Sequence, residues 1–319
     1  MQSFKISIFS LIFVLVILLL TIHYRLDVKN SIILDIASGS STSSIATSLY
    51  ENKIILNPTV FKIYVRFSSN DHKFKAGEYK FKSPQSIHSI VDKLTKGDFF
   101  YRKLTLLPGS TISNILKLGN SEGLFNDLEN DPENLLKKYG INLQEGIFFP
   151  DTFFYLKGEK FSSILLKSNE KWKKISKELW SNRNLNLPLK NLNEAVTLAS
   201  IIEKEGQEKR KIAGVFINRL NKNMKLQSDP TVIYALGSEF DGNLTRKNLQ
   251  IDNPYNTYRH KGLPPGPISI VSYDSLEAAL NPLLTDYLYF VSMGNGFHKF
   301  SKTLTEHNEA VLKYQINGR

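Results

Sequence analysis

Two glutamates stand where an apolar pattern should continue. "LASIIEKEG" (Leu198 to Gly206) closes an apolar helical run, yet Glu203 and Glu205 occupy its last turn. A carboxyl group on an apolar face is desolvated, and desolvation disfavours the ionised form. Such a group stays protonated nearer neutral pH and can serve as a general acid. Protonating a glycosidic oxygen is a reaction that needs one. The usual second carboxylate is dispensable if the substrate brings its own nucleophile, and the sequence offers no clear partner at a defined spacing. On a helical wheel Glu203 continues the line Leu192–Val196–Ala199, and Glu205 continues Leu198–Ile201–Ile202. Both lie in the apolar arc, so the wheel does not choose between them. The plainer reading is a frayed helix end with solvated carboxylates, Glu205 facing Lys209. Negative charge at a helix C-terminus opposes the dipole, so that reading still asks for another partner.

The element that must position these groups is bounded by its own signals. Asn191 with Glu194 three residues on predicts an N-terminal cap with a reciprocal partner. Gly206 predicts the stop. The helix is therefore expected over about Leu192 to Glu205, in a helical stretch continuing through Leu220. Beyond it lies a long irregular segment, Gln227 to Pro267, rich in glycine, proline and tyrosine. A stretch of that length inside a compact domain points to function. A helix near Ser275 to Ala279, a strand "YLYFVS" and a helix from about Thr303 complete the chain.

Upstream, "LDIASGSSTSSI" (Leu34 to Ile45) aligns with "LTLLPGSTISNI" (Leu104 to Ile115). Each copy predicts a short strand, a glycine turn, a hydroxyl cap and a helix. Two copies suggest duplicated small α/β modules and not a solenoid. Pro58 predicts a helix over "PTVFKIYVRF". "FKAGEYKF" predicts a strand, and "SIHSIVDKLTKGD" a helix stopped by Gly97. "EGIFFPDTFFYLKG" (Glu145 to Gly158) is expected to be loop-rich, and Phe161 to Trp180 a long amphipathic helix.

Composition narrows the classes. With 319 residues there is room for two domains. Cysteine is absent, which excludes disulfides, thiolate nucleophiles and cysteine metal sites. A net charge of +11 fits an acidic polymer, anionic lipid or a lysine-rich surface. No nucleic-acid motif is present, so no nucleic-acid partner is expected. Ile6 to Ile22 carries no charge and no proline, and its 17 residues reach the lower bound of about 17–25 for a membrane span. No small-residue cleavage site follows, so an uncleaved single-pass anchor is expected. The flanking charges barely choose its orientation.

Several stretches in fixed order carry a resemblance: "LASIIEKE", "VFINRL" (Val215 to Leu220), "LQSDPTVIYALG" (Leu226 to Gly237), "NPYNTYRHKGLPPGPIS" (Asn253 to Ser269), "YLYFVSMGNGFHKF" (Tyr287 to Phe300) and "EHN" (Glu306 to Asn308). With "GIFFPDTFFY" and "AGEYKF", they make the chain similar to the MltG/YceG-like endolytic murein transglycosylases. The resemblance implies an α+β fold: an N-terminal transmembrane helix, LysM-like small α/β modules, then a mostly helical α+β catalytic domain. The boundaries expected are 1–29 for tail and anchor, 30–145 for the LysM-like region and 146–319 for the catalytic domain. It also implies a single-pass protein of the cytoplasmic (inner) membrane with its catalytic domain on the periplasmic or extracytoplasmic side. Its substrate would be peptidoglycan, cut inside glycan strands between N-acetylmuramic acid and N-acetylglucosamine to leave 1,6-anhydromuramic ends. Ending nascent strand elongation, beside peptidoglycan synthases (penicillin-binding proteins), would be its task.

The resemblance places the catalytic group on the first glutamate, Glu203. That group would protonate the leaving oxygen, then act as base on the muramic C6 hydroxyl that attacks C1. An apolar groove would raise its pKa. Gln227, Ser228 and Asp229 would bind hydroxyl and acetamido groups, Tyr255 and Tyr258 would stack on sugar rings, and Asn256 and Thr257 would orient the acetamido group or the glutamate. Asp229 before Pro230 fits a helix cap first and a substrate contact second. His298 and His307 suit loop hydrogen bonding, and neither a metal nor any other cofactor is expected. Two other classes remain: a non-catalytic peptidoglycan-binding scaffold, and a glycosidase that uses water.

Overall fold

The computed structural model describes residues 31–68, 73–82 and 85–316. The expected anchor at 6–22 lies outside the described residues. Among the described residues, no helix is long and apolar enough to cross a membrane. The fold is α+β and mostly helical. The described residues divide into two units, one of those up to 102 with 154–159, the other of 103–153 with those from 160 onward.

The first unit runs β1 (Ile32–Ile36), α1 (Thr42–Glu51), α2 (Pro58–Phe67), β2 (Gly77–Phe81) and α3 (Ile87–Lys96). β1 and β2 pair antiparallel with Leu34 opposite Tyr79. Each helix starts on a side-chain cap that satisfies orphan N–H groups. Ser41 Oγ accepts from Ser44 N at 3.1 Å, Asn57 Oδ1 from Thr59 N at 2.8 Å, and Ser86 Oγ from Ser89 N at 3.3 Å. Gly97 ends α3 at φ 75°, a left-handed position that suits glycine. The apolar faces of all three helices close over Tyr79 and Phe81, with Ile45, Leu49, Phe61 and Leu94 fully buried between them.

The chain passes between the units within β3 (Arg102–Thr105) and β4 (Thr152–Tyr155), which pair with one another. The second unit holds α4 (Ile112–Lys117), α5 (Pro132–Lys138), α6 (Phe161–Ser181), α7 (Leu192–Glu205), α8 (Lys209–Asn221), α9 (Asp229–Leu236), α10 (Tyr273–Leu280), the antiparallel pair β5 (Tyr289–Ser292) and β6 (His298–Ser301), and α11 (Leu304–Val311). Helix α7 is its centre. Every residue from Ala195 to Ile202 is buried, and α8, α9 and α10 pack against it.

Three expectations need adjustment. The stretch 227–267 is not irregular throughout, since its proline-led start forms α9 and short 3-10 turns follow at Gly237–Glu239 and Asn248–Gln250. The aromatic segment after Glu145 contributes a strand, β4, with Phe148 and Tyr155 buried. The expected division at 145/146 falls inside the second unit. The reason is the second copy of the sequence repeat. Both copies form strand, glycine turn and capped helix, with Gly39 at φ 79° and Gly109 at φ 76°. Yet the turn of the second copy is bonded to residue 270. Gly109 N donates to Ile270 O at 3.0 Å, and Ile270 N to Ser110 O at 2.9 Å. That places residues 103–145 with the helical unit.

Candidate active site

Helix α7 starts where its cap predicts. Asn191 Oδ1 accepts from Glu194 N at 2.9 Å. Glu194 reaches back one residue further than expected, accepting from Lys190 N at 2.8 Å. At the other end Gly206 is required by close approach. A Cβ there would lie 2.8 Å from His298 Cε1.

The two glutamates leave this helix end in different directions and meet different neighbours. Glu203 Oε2 accepts from Ser272 N at 2.8 Å and Ser272 Oγ at 2.6 Å. Its Oε1 accepts from Lys209 Nζ at 3.0 Å. Lys209 also donates to Ser272 Oγ at 2.9 Å. The carboxylate thus ties the end of α7 to the start of α8 and to the N-terminus of α10, where Ser272 is the cap and the helix dipole favours negative charge. Burial by itself would raise the Glu203 pKa. The two Ser272 donors and Lys209 outweigh it and hold the carboxyl below the usual range. The expectation of a raised pKa at Glu203 is therefore overturned. Its surroundings are polar donors and a cation, not an apolar groove.

Glu205 has the raised proton affinity that was expected of Glu203. Burial pushes its carboxyl up to about 7 against a single donor, Ser228 Oγ on Oε1; Asp229 raises it further and Arg219 opposes the rise. Glu205 also opens on a cleft of about 550 Å³ lined by Arg219, Gln227, Asp229, Tyr258, Tyr289, His298, His307 and Asn308, among others. A carboxyl that titrates near neutrality in a cleft can donate a proton and take one back.

The cleft wall is built by α9 and the loop behind it. Ser228 is the N-cap residue of α9, but its hydroxyl makes no capping bond because it points to Glu205. Thr257 holds the turn in its place. Its Oγ1 accepts from Ser228 N at 3.0 Å and lies 2.9 Å from Thr231 Oγ1. Gln227 carries φ 50°, a left-handed conformation costly for a side chain with a Cβ, and donates its N–H to Thr257 O at 3.2 Å. Asp229 does not cap the helix, contrary to the first reading of Asp-Pro-Thr. Tyr258 Oη donates to its Oδ1 at 2.5 Å.

Of the residues expected to bind sugar, Gln227, Asp229 and Tyr258 line the cleft with Glu205, and Ser228 touches the carboxyl directly. Asn256 and Thr257 are enclosed, and their polar atoms are consumed inside the protein. Asn256 Nδ2 donates to Leu249 O and Ile251 O at 3.1 and 2.8 Å. Both build the loop instead of facing a sugar. Tyr255 packs on the core, its ring 4.9 Å from that of Tyr234.

Sequence reading passed over Arg219, His307 and Asn308 as site residues. Arg219 is 7% exposed and donates to Leu288 O and Leu226 O at 2.6 and 2.7 Å, with its guanidinium 5.2 Å from the Tyr289 ring centre. The available signal was a lone charge continuing the buried line Ile212, Val215, Phe216. His307 stacks on Tyr289, and burial together with Arg219 lowers its pKa. In "EHN" the labour is divided. Glu306 completes the capping box of α11 with Thr303, while His307 and Asn308 face the cleft.

Comparison with known proteins identifies the family. An endolytic murein transglycosylase of Bacillus subtilis (strain 168) is 36% identical over 313 residues, covering 90% of this chain and 86% of the relative. One of the same name from Streptococcus pneumoniae (strain ATCC BAA-255 / R6) is 27% identical, over 91% of this chain and 59% of its own length. A crystal structure described as a yceG-like protein from Listeria monocytogenes matches with a TM-score of 0.54 and 33% identity, covering 88% of this chain and 99% of that one. The YceG-like family model matches residues 34–313, and the chain belongs to that family.

Proposed function

We propose that this chain is an endolytic murein transglycosylase in which Glu205, the second glutamate of the pair, is the acid and base. Family membership and the name its relatives share support the reaction class. One observation carries the residue: Glu205 reaches the cleft with a proton affinity near neutrality, while Glu203 is held ionised by Ser272 and Lys209. In the forward step the Glu205 proton passes to the glycosidic oxygen. The bond from muramic C1 to that oxygen breaks, and its electron pair leaves with the oxygen as a hydroxyl. The C6 hydroxyl oxygen then bonds to C1, and its proton returns to the Glu205 carboxylate. Water is not consumed and the acid is regenerated, so one carboxyl group serves both halves.

The finer reading follows the resemblance. Residues 6–22 anchor the chain in the cytoplasmic membrane with the helical unit outside it. The β1–α1–α2–β2 arrangement acts as a LysM-like glycan-gripping module, and cleavage ends nascent strands beside a synthase.

The test is digestion of purified peptidoglycan by wild type, Glu205→Gln and Glu203→Gln, with products read by mass spectrometry. Anhydro ends from wild type and Glu203→Gln but not from Glu205→Gln are expected. Loss confined to Glu203→Gln would return the assignment to the first glutamate. Reducing ends would mean a water-using glycosidase, and no cleavage by any form would mean a binding scaffold.

A further inference from the structure

Breaking the bond to C1 leaves positive charge on the sugar before the C6 oxygen arrives, and Glu205 gains its negative charge only as it releases the proton. A second, fixed negative group facing the same space would stabilise that stage. The sequence offered none at a recognisable spacing. The fold supplies one, and resting on the reading of Glu205 given above, we propose that Asp229 is the second carboxylate of the reaction, facing the sugar on which positive charge develops.

Three features of the cleft support the assignment. Asp229 lines the same cavity as Glu205 and is exposed, so it can meet a ligand. It is oriented from outside its own helix, because Tyr258 Oη donates to Oδ1 and no capping bond competes for it. The residue before it, Ser228, gives its hydroxyl to Glu205 instead of to the helix. Two adjacent residues at the start of α9 therefore forgo ordinary capping, one to touch the acid and one to stand in the cleft beside it. The pair reproduces a general rule for two carboxyl groups with two roles. One has its proton affinity raised by burial, and the other is exposed beside it.

The charged and titratable groups facing Glu205 come from every element around it: Arg219 of α8, Asp229 of α9, Tyr258 of the loop, Tyr289 of β5, His298 of β6 and His307 of α11. Asp229 raises the Glu205 proton affinity and Arg219 lowers it. Removing the Asp229 charge should therefore make Glu205 give up its resting proton at lower pH. A role confined to holding Tyr258 would not do this.

The experiment compares wild type, Asp229→Asn and Asp229→Glu on purified glycan strands, recording kcat, KM and the pH profile. Asp229→Asn should lower kcat by about 100-fold with KM changed only a few-fold. Its alkaline limb should move down by about one pH unit. Asp229→Glu should recover at least tenfold of the lost kcat and return the limb towards wild type, and residual products should keep anhydro ends. If the Asn variant does not fold, Asp229→Ser at this exposed position gives the same readouts. Wild-type kcat with an unmoved limb would overturn the proposal, as would a loss lying wholly in KM or trapping of a sugar covalently bound to Asp229. If Glu205→Gln remains active, the reading beneath fails. If that variant is dead while Asp229→Asn is unimpaired, only this inference fails.

Discussion

Glu203 and Glu205 are two residues apart on one helix end, yet their carboxyl groups sit in opposite chemical settings. Burial penalises the charge of both. At Glu203 two donors from Ser272 and the Lys209 ammonium compensate for it, and the group is a structural clamp. At Glu205 a single serine hydroxyl compensates, a neighbouring aspartate adds repulsion, and the group titrates near 7. Burial alone therefore does not identify a general acid. The inventory of donors around the carboxyl decides, and that inventory comes from other elements.

The sharpest way to break the comparison is to neutralise each carboxyl in turn. Glu205→Gln should lower kcat by about 10³-fold or more, since the amide cannot deliver a proton. Glu203→Gln should keep activity within about tenfold and affect the fold instead. Equal losses measured in a glycan digest would mean that the two settings do not divide chemistry from structure.

The pH dependence of stability separates them next. In the unfolded chain Glu205 ionises around its ordinary value of 4.5, while in the fold it holds its proton up to about 7. Across that window the folded state binds more protons, so stability falls as pH rises and levels off above about 7. The contribution is at most a few kcal/mol, since a group that keeps its proton from 4.5 up to about 7 favours the fold by about 1.4 kcal/mol per pH unit. Glu145 adds a slope of the same sign. Burial raises it to about 7 against donors from the Ile112 N–H and Tyr234. Glu205→Gln should therefore remove about half of the decline seen in chemical denaturation between pH 4.5 and 7. Glu203 has the opposite sign: its folded pKa is lowered, so its contribution is present above the ordinary carboxylate range and is lost on acidification. Near pH 7 Glu203→Gln should cost about 2 kcal/mol, with Lys209 left without its carboxylate. That deficit should shrink as acid protonates the wild-type group.

Much of this site was legible from the chain, up to a definite point. The bounds of α7 followed from Asn191 and Gly206, because a cap and a stop are local signals. The choice between the glutamates was not legible. The groups that decide it lie 69 residues away for Ser272 and 23 for Ser228, and a helical wheel sees neither. The resemblance drew attention to the right helix turn, but the raised proton affinity expected of its first glutamate belongs to the second, in a cleft lined largely by polar side chains. Asn256 and Thr257 misled for a related reason. Polar residues in a proline-rich loop suggest ligand contacts, yet here Asn256 closes its own loop through Leu249 O and Ile251 O, and Thr257 ties that loop to Ser228 N and Thr231. Arg219 needed only more weight on a buried charge that interrupts an apolar line.

The finest test exchanges the two serines. Ser228→Ala removes the hydroxyl that donates to the Glu205 carboxyl without removing a helix cap, because that hydroxyl caps nothing. The carboxylate loses stabilisation while the protonated form loses little, so Glu205 should hold its proton to higher pH. The alkaline limb of the rate profile should move up by about one unit, the equivalent of one hydrogen bond to a charged group. Base strength rises with it, which tempers the loss of acidity, and kcat at its optimum should change by less than about tenfold. Ser272→Ala is the counterpart. It removes one of two Ser272 donors on Glu203 and also a cap of α10, whose Ser275 N–H binds Ser272 Oγ at 3.3 Å. That variant should cost about 1–2 kcal/mol in denaturation and leave the rate profile where it was. A limb that moved with Ser272→Ala and stayed with Ser228→Ala would invert the assignment of the two carboxyl groups.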